Sequence, residues 1–456
     1  MKITGFLDYE VILANRSQPV HFALRFEAPH QGGQRARPAA FCIVLDRSGS
    51  MEGPPLMKAK QAALLAVRNL RPEDHFSLIS FDDEAIVQIP SQPATQREAF
   101  ARSIQAIESR GATNLTAGWM LGRDELKKAA EGVSRRLLLL SDGLLNRGIV
   151  DPAAVRQVAV DGLEKQQVRT SCLGFGAKYN EDLLTVLAQA TGGQFYDADS
   201  PEKFPAIFEA ELDGLQKITV QNLRVRLRKL DFCESLQPLG TYPEVQRSEG
   251  WTEFSLGDLI SDEQRIACFT LNVLPLPWLE GKPVVSLEGE RLLEVEVLYD
   301  EISETEISSH TYNQVVRIQA TQNPNEVRQK TEVIPWVAMQ LAGKVMDDVT
   351  RRMDGGNWVD ALTALQSVID SLKAYGANAP VGEAIQQLEA MQRRIQAGDW
   401  SLRERKLSKY RSHSYRRMSS KEFWSGSEPA PGFKQPPPPP PIPPTSSGPP
   451  PPPPIA

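Results

Sequence analysis

Residues 39–51 read Ala-Ala-Phe-Cys-Ile-Val-Leu-Asp-Arg-Ser-Gly-Ser-Met, seven apolar residues running straight into Asp46-Arg47-Ser48-Gly49-Ser50. A short unbroken apolar run closed by turn residues is what a strand buried on both faces requires, the situation of a parallel sheet. Comparable runs follow at His75–Phe81, Ala85–Ile89, Arg136–Ser141, Val168–Gly174 and Gln194–Asp197. Stretches of helical period lie between them, near 55–70, 96–108, 115–130, 152–165, 180–190 and 201–216. Strand–helix alternation at this spacing predicts βαβ units, and so a doubly wound α/β domain over residues 39–216.

The flanks read differently. In residues 1–38, Val20, Phe22, Leu24 and Phe26 alternate with His21, Ala23 and Arg25, the period of a half-buried strand. From 217 to 322 short apolar runs such as Val220–Leu227 and Arg265–Val273 are separated by turn residues, which predicts a β-sandwich. The N-terminal β segment is expected to join that sandwich, making the α/β domain an insertion. Over 323–400 the period returns to 3.6: Val333, Val337, Leu341 and Val345, then Ala361, Leu365, Val368 and Leu372, predict a helical hairpin or small bundle broken at Gly355-Gly356-Asn357.

Composition sets the end of the chain apart. Of 35 prolines in 456 residues, 16 fall between Pro429 and Ala456. A segment so rich in proline has little to bury and predicts a disordered tail. Its runs Pro436–Pro441 and Pro449–Pro454 favour polyproline II, serving either as a spacer or as a ligand for an SH3- or WW-like domain. Between Ser401 and Lys421 eight basic residues face one acid, Glu404. That run reads as a solvated linker, so that folded structure would end near residue 400. Serines beside its arginines offer phosphorylation sites that would cancel the charge. The remainder is acidic, within a net charge of −6, and this excludes nonspecific nucleic-acid binding as the main activity. The four cysteines, Cys42, Cys172, Cys233 and Cys268, lack zinc or redox spacing, no apolar run suffices for a membrane span, and the N-terminus does not read as a signal peptide. A cytoplasmic protein is expected.

The chemistry gathers where the strands end. Asp46-Arg47-Ser48-Gly49-Ser50 closes the first strand, Gly111-Ala112-Thr113-Asn114 precedes the 115–130 helix, and Ser141-Asp142-Gly143 closes another strand. In a parallel sheet the loops after C-terminal strand ends converge on one edge, where such folds place ligands. Asp46, Ser48, Ser50, Thr113 and Asp142 are therefore candidates to meet around one ion. An all-oxygen set with two carboxylates suits a hard divalent cation, Mg²⁺ first, with Mn²⁺ or Ca²⁺ as alternatives.

At these residues the chain resembles a von Willebrand factor type A domain with a metal-ion-dependent adhesion site. The resemblance implies that Ser48 and Ser50 coordinate directly, that Thr113 does so when ligand is bound, and that Asp46 and Asp142 then act through water. A cation with few direct carboxylates stays electrophilic, so the implied partner is a protein offering an acidic side chain. Ala112 stands where many relatives have glycine. The flanking layout is also similar to bacterial proteins in which this domain is followed by a β-sandwich and a helical segment. That likeness rests on Gly257-Asp258-Leu259-Ile260, Glu263 and the 265–273 strand. At family level it implies work beside a separate AAA+ ATPase.

A metal-dependent hydrolase would need a general base beside the metal. His75 opens a strand and belongs at the opposite sheet edge. His21 and His30 lie in the N-terminal segment, His310 in the sandwich and His413 in the basic run. There is no phosphate-loop motif, and Gly174-Phe175-Gly176 lacks the rest of a dinucleotide fingerprint. The chain therefore reads as a non-enzymatic, metal-dependent protein-binding scaffold, the alternative being an adaptor that works through its proline-rich tail.

Overall fold

A computed structural model describes residues 1–417, apart from 31–37, 131, 144–147, 150, 177–178, 277, 280–281, 284–288, 304–305 and 375–378. The proline runs and the serines at 419–420 lie outside the described residues.

Three strands come first: β1 (Lys2–Leu7), β2 (Tyr9–Leu13) and β3 (Gln18–Glu27). The α/β layer follows as β4 (Ala39–Asp46), α1 (Pro54–Asn69), β5 (His75–Phe81), β6 (Ala85–Pro93), α2 (Arg97–Gln105), α3 (Leu115–Leu126), β7 (Ser134–Ser141), α4 (Pro152–Gln166), β8 (Val168–Phe175), α5 (Glu181–Thr191), β9 (Phe195–Ala198) and α6 (Phe204–Gln216). Its six strands run in the order β6-β5-β4-β7-β8-β9. β4 is buried at every position, as a central strand covered by helices on both faces must be. Two cores flank the sheet: Phe41, Ile43 and Leu45 pack towards α1 and α6, while Cys42 and Val44 pack towards α3 and Trp119. β6 departs from a purely parallel reading. Only Asp82-Asp83-Glu84 separates it from β5, too short for a crossover, and the two pair antiparallel as a hairpin.

The chain then builds β10 (Ile218–Lys229), β11 (Cys233–Pro238), β12 (Glu244–Gln246), β13 (Trp251–Ile260), β14 (Gln264–Val273), β15 (Trp278–Leu279), β16 (Lys282–Pro283), β17 (Glu290–Ile302), β18 (Ile307–Thr321) and β19 (Arg328–Gln329). One sheet has the order β1-β3-β14-β11, the other β12-β13-β10-β17-β18-β2-β19. Their facing side chains, among them Phe22, Leu24, Val225, Phe254, Phe269 and Val295, form one core. The N-terminal strands thus belong to the sandwich, one to each sheet and β3 deep within the first. The α/β layer is inserted between β3 and β10. β3 is also buried on both faces rather than half-buried. Ala23, with Ile266 and Cys268 of β14, packs under a helix that covers this sheet, and His21 is held by Asp8 at 2.8 Å.

That covering helix is α7 (Ile334–Asp354), followed by α8 (Trp358–Ala374), α9 (Ala379–Gln396) and α10 (Leu402–Arg417). The fourth helix corrects the expectation of a solvated linker after residue 400. α10 lies along α7 at close range: Ser412 Oγ donates to the Gly343 carbonyl at 2.7 Å, and Ser408 and Thr350 hydroxyls are 3.0 Å apart. A Cβ on Gly343 would fall 3.0 Å from the Ser412 carbonyl oxygen, so glycine permits the approach. The basic side chains are paired, most of them with acids of the α/β layer. Arg403 meets Asp197, Arg405 meets Glu181, Asp182 and Asp354, and Lys409 meets Asp182. His413 and Ser412 are buried, so neither belongs to a solvated tail and Ser412 is closed to a kinase. Folded structure extends to Arg417.

Candidate metal centre

The five oxygen-bearing side chains singled out above come to one edge of the α/β sheet because each follows a C-terminal strand end or precedes a helix start. Asp46 ends β4 and Ser141 ends β7, strands paired in parallel. Asp46 is fully buried. Its Oδ1 accepts the Ser48 N–H at 2.9 Å, closing the turn after the strand, and its Oδ2 accepts from Ser141 Oγ at 2.7 Å. Ser48 and Ser50 Oγ lie 3.2 Å apart, and Ser50 Oγ donates to Asp142 Oδ1 at 2.7 Å. Thr113 reaches the same place from the loop before α3: a Cβ on Gly143 would fall 2.8 Å from its Oγ1, so only glycine beside Asp142 leaves room for it. Backbone bonds tie the two loops together, Gly49 N–H to the Gly111 carbonyl at 3.2 Å and Arg110 N–H to the Arg47 carbonyl at 2.8 Å. Gly111 has a φ of +70°, a conformation that favours glycine.

Electrostatics separate this cluster from its neighbours. Burial pushes the Asp46 carboxyl up to about 6, against the hydrogen bonds from Ser141 and Ser48, with the charge of Asp142 adding to the rise. Burial likewise raises Asp142 against its bond from Ser50. Two acids are thus held together with hydroxyls as partners and too little positive charge. Next to them Asp82, in the loop after β5, behaves in the opposite way. Burial disfavours its charge too, but the Glu84 N–H, Arg110 and Arg47 more than offset that and hold its carboxyl below the usual range. Arg47 lies 2.9 Å and Arg110 2.7 Å from its Oδ2. The arginine inside the motif is therefore engaged by Asp82 and leaves Asp46 uncompensated.

The donor set fits a hard cation. It is all oxygen, two carboxylates and three hydroxyls, and no group of three or more His, Cys, Asp or Glu placed to hold a metal occurs among the described residues. The histidines lie elsewhere. In register His75 stands beside Ala40 while Phe81 stands beside Asp46, which puts His75 at the far end of its strand. His21 is in β3, His310 in β18 and His413 in α10, while His30 contacts Asp262. Sequence reading missed Ser141, Arg47, Asp82 and Arg110. Ser141 was visible as the residue before Asp142. The Arg47–Asp82–Arg110 group had no local signal, since it joins three separate loops.

The comparisons with known proteins bear on the fold. The family model for the von Willebrand factor type A domain matches residues 41–210. An uncharacterized Synechocystis protein, sll0103, is 28% identical over 343 residues, covering 73% of this chain and 78% of its own. The Bos taurus inter-alpha-trypsin inhibitor heavy chain H4 is 28% identical over 217 residues, 41% of this chain and 23% of that one. In fold, a von Willebrand factor type A protein from Catenulispora acidiphila superposes with a TM-score of 0.65 at 15% identity, covering 85% of this chain and 88% of the other. The ArnB paralog VWA2 from Sulfolobus acidocaldarius gives 0.59 at 14% identity, covering 91% and 97%. The likeness to these two extends well beyond the α/β layer, into the sandwich and helices. Residues 41–210 of this chain are a von Willebrand factor type A domain.

Proposed function

We propose that the chain is a non-enzymatic scaffold that captures a protein partner through a divalent cation, Mg²⁺ by preference, held by Asp46, Ser48, Ser50, Thr113 and Asp142. Domains of this family commonly mediate protein–protein interactions. The observation that carries the reading is the Asp46–Ser48–Ser50–Asp142 cluster, buried except at Ser50, whose two carboxyls are both pushed upward by burial with no cation of the chain to offset it. When bound, the cation supplies that charge and a Lewis-acidic position for an incoming carboxylate. This chain's own residues orient the set: Ser141 fixes the Asp46 carboxylate, Gly143 leaves room for Thr113, and Asp82 keeps Arg47 from competing for Asp46. No described helix is long and apolar enough to cross a membrane. The four cysteines are free and buried, which supports a reducing, cytoplasmic setting. A separate AAA+ ATPase and a polyproline-reading domain remain proposed partners.

Affinity capture from native lysate, with Mg²⁺ and with chelator, tests the reading. Capture is expected to disappear in chelator and in Asp46→Ala or Ser48→Ala, while deletion of residues 429–456 leaves it intact. Partners retained equally in chelator and in both variants, but lost with the tail, would overturn the metal mechanism in favour of a tail-driven adaptor.

A further inference from the structure

Along β10, Arg224, Arg226 and Arg228 alternate with Leu223, Val225 and Leu227 of the sandwich core, so the arginines share the outer face. Two of them are met across the strands. Arg226 stands opposite Glu253 of β13 and Glu296 of β17, and donates to them at 2.6 and 2.8 Å. Arg228 stands opposite Trp251 and Glu294, lying over the indole ring and donating to the carboxylate at 2.7 Å. Arg224 breaks this ladder, because its cross-strand neighbours are Ser255 and Leu298. Its Nε is buried with no hydrogen-bond partner among the described residues. Glu253 lies near enough to feel its charge, but that carboxylate already accepts from Arg226 and Arg247.

Arg224 lines a cleft of about 360 Å³ between the sandwich and the last turn of α4. The accessible lining divides about evenly between polar and apolar atoms, with Leu163, Pro243 and Val245 on the apolar side. Lys165 enters from α4, exposed and without an ion pair among the described residues. The backbone is unusual here too. Of the four described non-glycine residues with positive φ, two line this cleft, Gln167 at +54° and Asn222 at +57°. Backbone held in such sparsely populated regions gathers at ligand clamps.

Charge narrows the ligand. Of the four cations in the lining, Arg247 is held by Glu164 and Glu253, each at 2.7 Å, and Arg169 by Asp258 at 2.9 Å. Lys165 and Arg224 complete the four, so they exceed these three acids by one charge. A monoanion matches that excess, whereas a phosphate dianion would overshoot it beside two glutamates. We propose that the cleft binds a small organic monocarboxylate with an apolar body. Arg224 and Lys165 take the carboxylate, in charge-assisted hydrogen bonds, and Leu163, Pro243 and Val245 carry the body. The site is separate from the metal centre: Val168, next to Gln167, pairs with Arg135 near the start of β7, while Asp142 follows the end of that strand. It needs no cation, and a ligand in it touches the α/β domain and the sandwich at once.

Isothermal titration calorimetry of the full chain in chelator tests this, with 3-phenylpropionate and hexanoate as probes, each beside its neutral alcohol. At least one acid is expected to bind saturably, and its alcohol about tenfold more weakly, as loss of a charge-assisted bond requires. Arg224→Gln and Lys165→Gln are each expected to weaken the acid about tenfold, with thermal melts confirming that both fold. If Arg224→Gln does not fold, the exposed Lys165→Gln decides. Three outcomes overturn the proposal: no saturable binding of either acid, equal binding of acid and alcohol, or acid binding that the folded variants leave unchanged.

Discussion

Two clusters of acids lie on the α/β domain, and they are treated in opposite ways. Asp46 and Asp142 have hydroxyl partners, and burial drives both upward. Glu181, Asp182 and Asp197 face α10, where Arg403 lies 2.6 Å from Asp197 and Lys409 lies 2.9 Å from Asp182. Burial works against the charge on Asp182 as well, but Lys409 and Arg405 outweigh it and hold the carboxyl low. The difference teaches where to look for function. A buried acid saturated by cations from its own chain is structure, whereas one left short of charge is where the proposed cation would act.

The strongest way to break this contrast is to remove the internal cations. Arg405→Glu would place a fourth carboxylate beside Glu181, Asp182 and Asp354 and is expected to destabilise the chain by about 4 kcal/mol, as loss of a buried pair does, read by denaturant unfolding. In Mg²⁺-free buffer Asp46→Asn should instead leave stability unchanged or raise it at neutral pH. An equal loss in both variants would erase the distinction.

Acid sharpens it further. Asp46, held at about 6 in the folded metal-free chain, has a folded pKa above its unfolded one. Its contribution therefore favours folding as pH falls through 6 towards 4 and is lost as pH rises, a swing of about 3 kcal/mol that Asp46→Asn should remove. His413 runs the other way. Burial first, then Arg417 and Arg416, hold it at about 3. A depressed histidine stabilises fully above its unfolded value of about 6.5 and loses that as pH falls, about 2 kcal/mol by pH 5. The pH profile of unfolding, in wild type and in His413→Gln, should resolve the two slopes.

Effects of similar or smaller size follow from the cation and its supports. Mg²⁺ at about a hundredfold excess over its Kd should stabilise the wild type by about 2.7 kcal/mol, and should leave Asp46→Ala unmoved in thermal melts. Ser141→Ala removes the donor to Asp46 Oδ2 and is expected to weaken Mg²⁺ binding about tenfold by calorimetry, the scale for a residue that orients a ligand.

Much of the fold was written in local pattern. The apolar run into Asp46, the helix-period stretches and the Gly355-Gly356-Asn357 break each announce an element from neighbouring residues. The five candidate side chains were legible for the same reason, since parallel topology sends strand ends to one edge. What was hidden depends on distant partners. The basic run could not be read as α10, because its acids sit on α5, β9 and α7, and composition alone counts charges without showing where they are met. β3 looked half-buried, because the helix covering Ala23 begins some three hundred residues later. Ser141, adjacent to a candidate, was close to being read; Asp82 was not, since its role is to occupy an arginine.

The insertion of the α/β domain has a mechanical consequence. The chain enters it from β3, in one sheet of the sandwich, and leaves it into β10, in the other. Tension applied to the α/β domain is thus divided between two anchor strands on opposite sheets, with α10 as a third stay. A domain hung from one terminus would swivel and peel. This one is braced, and pulling on it loads antiparallel strand pairs on both sides of the sandwich core at once.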